Sequence, residues 1–405
     1  MTFEKVDLGN VCTFFNNSRK PVTRSSRVAG EYRYFGAAGI QDYVSEYLFD
    51  GDFILVGEDG TVITDDDRPV VQQVSGKFWV NNHAHVIQPN EMQDYDYLYF
   101  AISSAKVRDL VTGAVQPKLS MTNLKQLQIP WATDSVVRLK IGSILRNLDA
   151  KISANEALSK TLKDIAQTIF KSWFIDFDPV KAKLAGEKPA GMDAATAALF
   201  PESMEESELG MVPKGWMVSN LESISSVKYG APFASKLFNT LKVGQPLIRI
   251  RDLKKQSIST WSPENHPKGF LVSGGELLVG MDGEFNPTIW FGESALVNQR
   301  ICKIEPKDFV SNFFLYFTLV PIMRKIEHGS TGSTVIHLGK TDIDAIKIAI
   351  PSRELLSAFK SLVEPLLKQM VSLNVQVRVL QEARDALLPR LISGELQIAE
   401  DMLAS

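Results

Sequence analysis

Residues Gly51–Gly60 read "GDFILVGEDG", and residues Gly274–Gly283 read "GGELLVGMDG". A glycine-bounded apolar run closed by Asp-Gly is strand-and-turn wording, and here it occurs twice, 223 residues apart. Other matches follow in the same order. Phe3, Leu8 and Val11 correspond to Trp216, Leu221 and Ile224 at 213 residues. "VNNHAHVIQP" from Val80 corresponds to "VNQRICKIEP" from Val297, and "YLYF" from Tyr97 to "FLYF" from Phe314, both at 217. "LSMTNLKQLQI" from Leu119 corresponds to "LGKTDIDAIKI" from Leu338 at 219. One such pair is a common accident of strand composition. Five in register make the chain a duplication.

Each copy opens with β-branched and aromatic runs broken by Gly, Asp and Pro, then turns helical. Ile141, Leu145, Leu148, Ile152, Asn155, Ser159, Leu162, Ala166 and Ile169 alternate at spacings of four and three. So do Leu356, Phe359, Val363, Leu366, Met370, Leu373, Val377, Leu380, Arg384, Leu387 and Leu391. This is a coiled-coil seam, and each helix needs about 40 residues, hence about 60 Å. Asn155 and Ser159 are placed to fix register, and Pro365 to kink the second helix. Segment 179–213, rich in Ala, Gly, Pro and Glu, reads as a linker. At the end of the first helix, "FKSWFIDFDPV" (Phe170–Val180) places several aromatics on one face, and Pro179 stops the helix before Asp178.

Composition limits the function. The 405 residues carry a formal net charge of −3 and are 44% hydrophobic and 22% charged, an ordinary soluble profile of two or three domains. No run of eighteen apolar residues exists, so no membrane is expected, and two cysteines point to a cytoplasmic chain without disulfides. A near-neutral charge argues against a free-standing nucleic-acid binder. Catalytic wording is sparse. "FNPTIW" (Phe285–Trp290) lacks the second proline of an adenine methyltransferase, "EPK" (Glu305–Lys307) lacks the companion carboxylate of a nuclease, and no phosphate-binding loop is present. Asp176 and Asp178 have no histidine or third carboxylate nearby. His83 and His85 alternate as strand residues facing one side, but the second copy has Arg300 and Cys302 there, so no metal site is expected.

DNA-contact candidates are Arg19, Lys20, Arg24 and Arg27 in "NNSRKPVTRSSR", and Lys236, Lys242, Arg249 and Arg251 in the second copy, the last two read as sharing a strand face. Asn81, Asn82 and His83, matched by Asn298, Gln299 and Arg300, can read base edges or stabilise strand ends.

"FKSWFIDFDPVKAK" after a long helix, "GMVPKGW" at the entry to the second half and "ALLPRLISGEL" (Ala386–Leu396) resemble the specificity subunit of type I restriction–modification systems. "YRYFGAAGIQDYV", "YLFDGDFILVGEDGT" and "SGKFWVNNHAHVI" resemble that family's target-recognition domains. The resemblance spans nearly the whole chain. It implies an α+β chain: two pseudo-repeated α/β target-recognition domains separated by two long antiparallel helices forming a coiled coil. The domains fall at 1–132 and 214–351, the helices at 133–178 and 352–396, the linker at 179–213 and a tail at 397–405. It further implies a non-catalytic subunit that reads a bipartite target in double-stranded DNA, the helices setting the gap. Partners would be two methyltransferase subunits, docking in part on Trp173, Phe174 and Phe177, and restriction subunits. No cofactor belongs to this chain; S-adenosylmethionine belongs to the methyltransferase. DNA clamped between several subunits removes the charge objection. The alternative is a stand-alone DNA-modifying enzyme with a duplicated body.

Overall fold

The computed structural model describes residues 2–113, 115–329 and 337–399. Two compact units emerge: Met1–Ser153 with Val379–Ser405, and Ala154–Arg378.

The duplication is a duplication of topology. In the first unit Phe3–Asp7 pairs antiparallel with Gln128–Ala132. A four-stranded antiparallel sheet runs Cys12–Phe14, Ala84–Pro89, Phe53–Gly57, Val71–Val74. A second sheet runs Gly39–Val44, Ala29–Gly36, Lys77–Val80, Phe49–Asp50, with one parallel junction, between its two middle strands. The second unit repeats every step. Met217–Asn220 pairs with Lys347–Ile350. One sheet runs Ser225–Tyr229, Ile301–Pro306, Leu277–Gly280, Pro287–Ile289. The other runs Trp261–Ser262, Gln245–Ile248, Ala295–Val297, Leu271–Val272, again with its parallel junction in the middle.

The opening motif explains itself in this setting. Phe53–Gly57 is buried at all five positions, which requires cover on both faces. Successive side chains point to opposite faces, and they enter different cores. Ile54 and Val56 join Leu98, Ile102 and Ile129, whereas Phe53 and Leu55 join Phe35, Phe49 and Phe78. Leu277–Gly280 is divided the same way, with Leu277 and Val279 in one cluster and Leu278 in another with Trp290.

The long helices are Ser135–Phe174, of 40 residues, and Arg353–Ser393, of 41. The seam positions Ile141, Leu145, Asn155, Ala166, Phe359, Val363, Met370 and Leu391 are buried. Both polar interruptions are answered across the helix pair. Asn155 donates to the Gln376 amide oxygen at 3.3 Å, and Asn374 donates to Ser159 Oγ at 3.0 Å. In the first unit Arg384 donates to Asp149 at 2.8 Å. Partner numbers fall as positions rise, so the helices are antiparallel. Such polar pairs at seam positions lock register, because a shifted register would bury them unpaired. The helix continues unbroken through Pro365.

Each helix ends inside a core. Leu388, Leu391 and Ile392 complete the cluster of the first unit. Phe170, Trp173 and Phe174 complete that of the second, with ring centroids 5.0 Å apart for Phe174 and Phe359, 5.1 Å for Phe174 and Phe314, and 5.2 Å for Trp173 and Phe200. This corrects the docking role expected of the aromatic face. Trp173 and Phe174 are 5% and 7% exposed and already covered by their own chain. Phe177, in a left-handed conformation with φ 56°, packs half-buried on Trp216 at 5.5 Å. The expected linker is also ordered. It forms helices Asp178–Leu184 and Ala194–Ala198 and the hairpin Met204–Ser207 with Gly210–Pro213, because Val180, Phe200 and Val212 bury themselves.

Phe174→Ala should therefore destabilise the unit Ala154–Arg378 by about 3–5 kcal/mol, the range for a buried Phe. Urea unfolding followed by tryptophan fluorescence checks this. A variant of unchanged stability that loses only partner affinity would restore the docking role.

Candidate nucleic-acid interface

The matching Gly-x-Asp-Gly turns set up the same corner in both units. In the first, the Glu58 amide donates to the His83 carbonyl at 2.9 Å and the Leu119 amide to the Glu58 carbonyl at 2.8 Å. In the second, Met281 donates to the Arg300 carbonyl at 2.9 Å and Leu338 to Met281 at 2.8 Å. Asp59 forms an antiparallel bridge with Lys118, and Asp282 with His337. This backbone frame brings Asp59, His83 and Lys118 into correspondence with Asp282, Arg300 and His337.

Side chains then pair. Asp59 binds His83 Nδ1. Asp282 binds Arg300 Nε at 3.1 Å through one carboxylate oxygen and His337 Nδ1 at 2.7 Å through the other. His83 and Arg300 remain about half exposed. Asp59 and His83 line a cleft of about 280 Å³ with Gln41, Thr61 and Gln116. Asp282 lines one of about 400 Å³ with Arg251, Lys254, Glu284 and Asn286.

Behind the first corner lies a half-buried polar network around the buried His85. Arg19 donates through Nη1 to Glu58 at 2.6 Å and to the Ala84 carbonyl at 2.7 Å. His85, fully buried, donates through Nε2 to the Leu119 carbonyl at 2.7 Å, while its Nδ1 accepts from Asn16 at 2.8 Å. Both ring nitrogens are satisfied by a neutral imidazole, and burial pushes its pKa below 6.5 against the opposing pull of Glu58. In the second copy the matching residues are Met281, Cys302 and Tyr229, the last two directly opposite across the sheet.

The other candidates separate into free and engaged residues. Lys20 and Arg24 are exposed, as are Lys236, Lys242, Arg251, Asn82 and Gln299. Arg24 and Lys236 lie on equivalent single turns, Arg24–Ser26 and Ser235–Leu237. Arg19 is taken up by Glu58, and Arg27 by Asp42 at 3.2 Å and the Tyr34 ring at 4.2 Å. Asn81 is buried, its side-chain oxygen accepting from the His83 amide at 2.8 Å, and Asn298 is half-buried. Two expectations need correction. His83 precedes the strand Ala84–Pro89 in a turn, so it does not share a face with His85. Arg249 and Arg251 share no strand, because the strand ends at Ile248 and Asp252 accepts from the Arg249 amide at 2.9 Å to start the helix Ile250–Lys255. Among the described residues no group of three or more His, Cys, Asp or Glu could hold a metal ion.

The sequence reading missed Asp59, Asp282, Lys118 and His337. Their signal was present, since both aspartates stand in the duplicated turn that marks the repeat.

The model for the type I restriction modification DNA specificity domain matches residues 1–164 and again 213–355. The chain belongs to this family. Among relatives, it is 26% identical over 372 residues to the MjaIX specificity subunit of Methanocaldococcus jannaschii, covering 84% of this chain and 78% of that one. It is 27% identical to the HindI specificity subunit of Haemophilus influenzae, covering 69% and 71%. The fold is that of the type I S subunit from M. genitalium, with a TM-score of 0.63 over 98% of this chain and 97% of that one, at 15% identity. Both family matches contain the corner just described, once with His83 and once with Arg300.

Because the folded first unit holds His85 neutral while the unfolded chain protonates it below about pH 6.5, acid favours unfolding. The stability present above pH 6.5 should fall as pH drops below it, with Glu58, Arg19 and Lys118 as the charged neighbours. His85→Gln should remove that part of the pH dependence, measured by thermal unfolding at pH 7.5 and 5.5.

Proposed function

We propose that this chain is the DNA-reading subunit of a type I restriction–modification complex, each repeated domain recognising one half of a bipartite duplex target. The observation that carries the reading is the duplicated corner. One family domain, present twice in one chain, offers in each copy an exposed nitrogen base held at the same backbone position. Arg24 and Lys236, free on equivalent turns, suit phosphate contacts that position the domains, while the corners suit base edges. The antiparallel helix pair sets the length of DNA left unread. Catalysis resides in partners: two methyltransferase subunits carry S-adenosylmethionine, and restriction subunits join them in the cytoplasm. A stand-alone DNA-modifying enzyme is the rival reading, and binding of S-adenosylmethionine by this chain alone would favour it.

Replacing residues 1–132 with the corresponding domain of a relative should change one half of the methylated motif and leave the other intact. Motif sequencing in a host carrying the complex checks this, and a change in both halves sinks the reading. Arg24→Ala should weaken all sequences alike and reduce the salt slope of binding by about 0.9, one phosphate contact. For the helices, seven residues added to each at facing positions keep the heptad and lengthen each by about 10 Å. The unread gap should then grow by about three base pairs at 3.4 Å each. Those pairs rotate the distal half-site by about 100°, so weaker binding accompanies the longer gap. An active variant that retains the original gap would assign the spacing to something else.

A further inference from the structure

We infer that Asp282 and Arg300 act as one reading unit for a G·C base pair, Asp282 being the positioning residue that aims the guanidinium. The inference rests on the DNA-reading role proposed above and names the chemistry of one contact within it.

Arg300 stands on a turn about half exposed, where a free arginine would sample many rotamers. Asp282 holds its Nε at 3.1 Å and is itself held from the other side by His337 at 2.7 Å. The backbone bond from Met281 to the Arg300 carbonyl fixes the two turns to each other. Nη1 also reaches Asp282, at 3.5 Å, so the Nη hydrogens turned away from the carboxylate form the donor fork, with the carboxylate as the adjacent acceptor. In the major groove guanine shows two acceptors, N7 and O6, and its cytosine shows one donor, N4. The other pairs present a different order of groups. Guanidinium donors against guanine, with the carboxylate against cytosine, satisfy both partners at once. A carboxylate beside the cation also discourages indiscriminate capture of phosphate, which a lone arginine would favour. In the first copy Asp59 holds a single imidazole instead of a fork, so the equivalent position of the other half-site is read differently.

The test uses the chain assembled with its methyltransferase, and a library of duplexes randomised over the motif. Asp282→Asn and Arg300→Gln should both relax the same base pair of one half-site, lowering discrimination there by at least about 5-fold. Arg300→Gln should move the preference toward A·T, since the glutamine amide matches adenine. The other half-site should be unchanged in both. An unchanged motif, or an affinity loss spread evenly over all sequences, overturns the inference. Thermal unfolding monitors folding, and if Asp282→Asn does not fold, Arg300→Lys, which keeps the charge but not the fork, carries the same comparison. A wild-type complex without a bipartite motif overturns the proposed function itself, whereas an intact bipartite motif insensitive to these variants overturns only the G·C contact.

Discussion

Neither core is completed by its own strands and short helices; each needs the end of a long helix. In the unit that begins the chain, Leu388, Leu391 and Ile392 come from the last helix, more than 200 residues after the strands they cover. In the other unit, Phe170, Trp173 and Phe174 come from the helix that precedes its first strand. Burying a large aromatic contributes about 1.5–3 kcal/mol, so three at one helix end anchor that end firmly. The helices are therefore parts of both cores at their termini and a paired seam along their length. Helical propensity alone would not hold 40 residues so regularly; tertiary packing along an apolar stripe does.

The two copies solve one packing problem with opposite chemistry. Where the first unit surrounds the buried His85 with the half-buried Arg19, Glu58 and Asn16, the second has Cys302 in place of His85, and Met281 and Tyr229 in place of Glu58 and Asn16. Desolvating an ion pair consumes most of what its attraction returns, so an apolar replacement of similar volume can be neutral in stability. The polar version is worth keeping only if every member is satisfied, and here Arg19, His85 and Asn16 each have identified partners. Removing one member is a different matter from replacing all, because the remainder would be buried unpaired. The backbone corner above this layer is the same in both copies, which shows that its geometry comes from the strand pairing and not from the side chains beneath.

What the sequence made legible was what repeats or alternates. The duplicated turn, the repeated opening and closing segments of each copy, and the two seams all follow from patterns that survive in the fold, whereas the polar partners of Asn155 and Ser159 came only with the structure. What it hid was decided by long-range contact. Trp173 looked like a surface anchor because its cover, Phe200 and Phe359, lies 27 and 186 residues away. Segment 179–213 has the composition of a linker, yet a few apolar residues suffice to fold it. Arg249 read as a strand residue until Asp252 capped a helix there. Arg19 and Arg27 looked like phosphate ligands because a charge on a polar loop gives no hint of a carboxylate elsewhere in the chain.

Charge then ties the fold to the proposed reading. A chain of net charge −3 lacks the overall basic excess usual in a free-standing DNA binder. Of its basic residues near the recognition turns, Arg19 and Arg27 are spent inside the fold, and His83 and Arg300 are tethered to aspartates. Only a few, Arg24 and Lys236 among them, are free for a backbone. Under the proposed reading such a surface contributes little to general affinity and more to discrimination, because a pre-oriented donor loses less freedom on meeting the right base. In that reading general affinity comes from the partner subunits. Under the proposed function an isolated chain is therefore expected to bind weakly and the assembled complex selectively, in keeping with where the carboxylates stand.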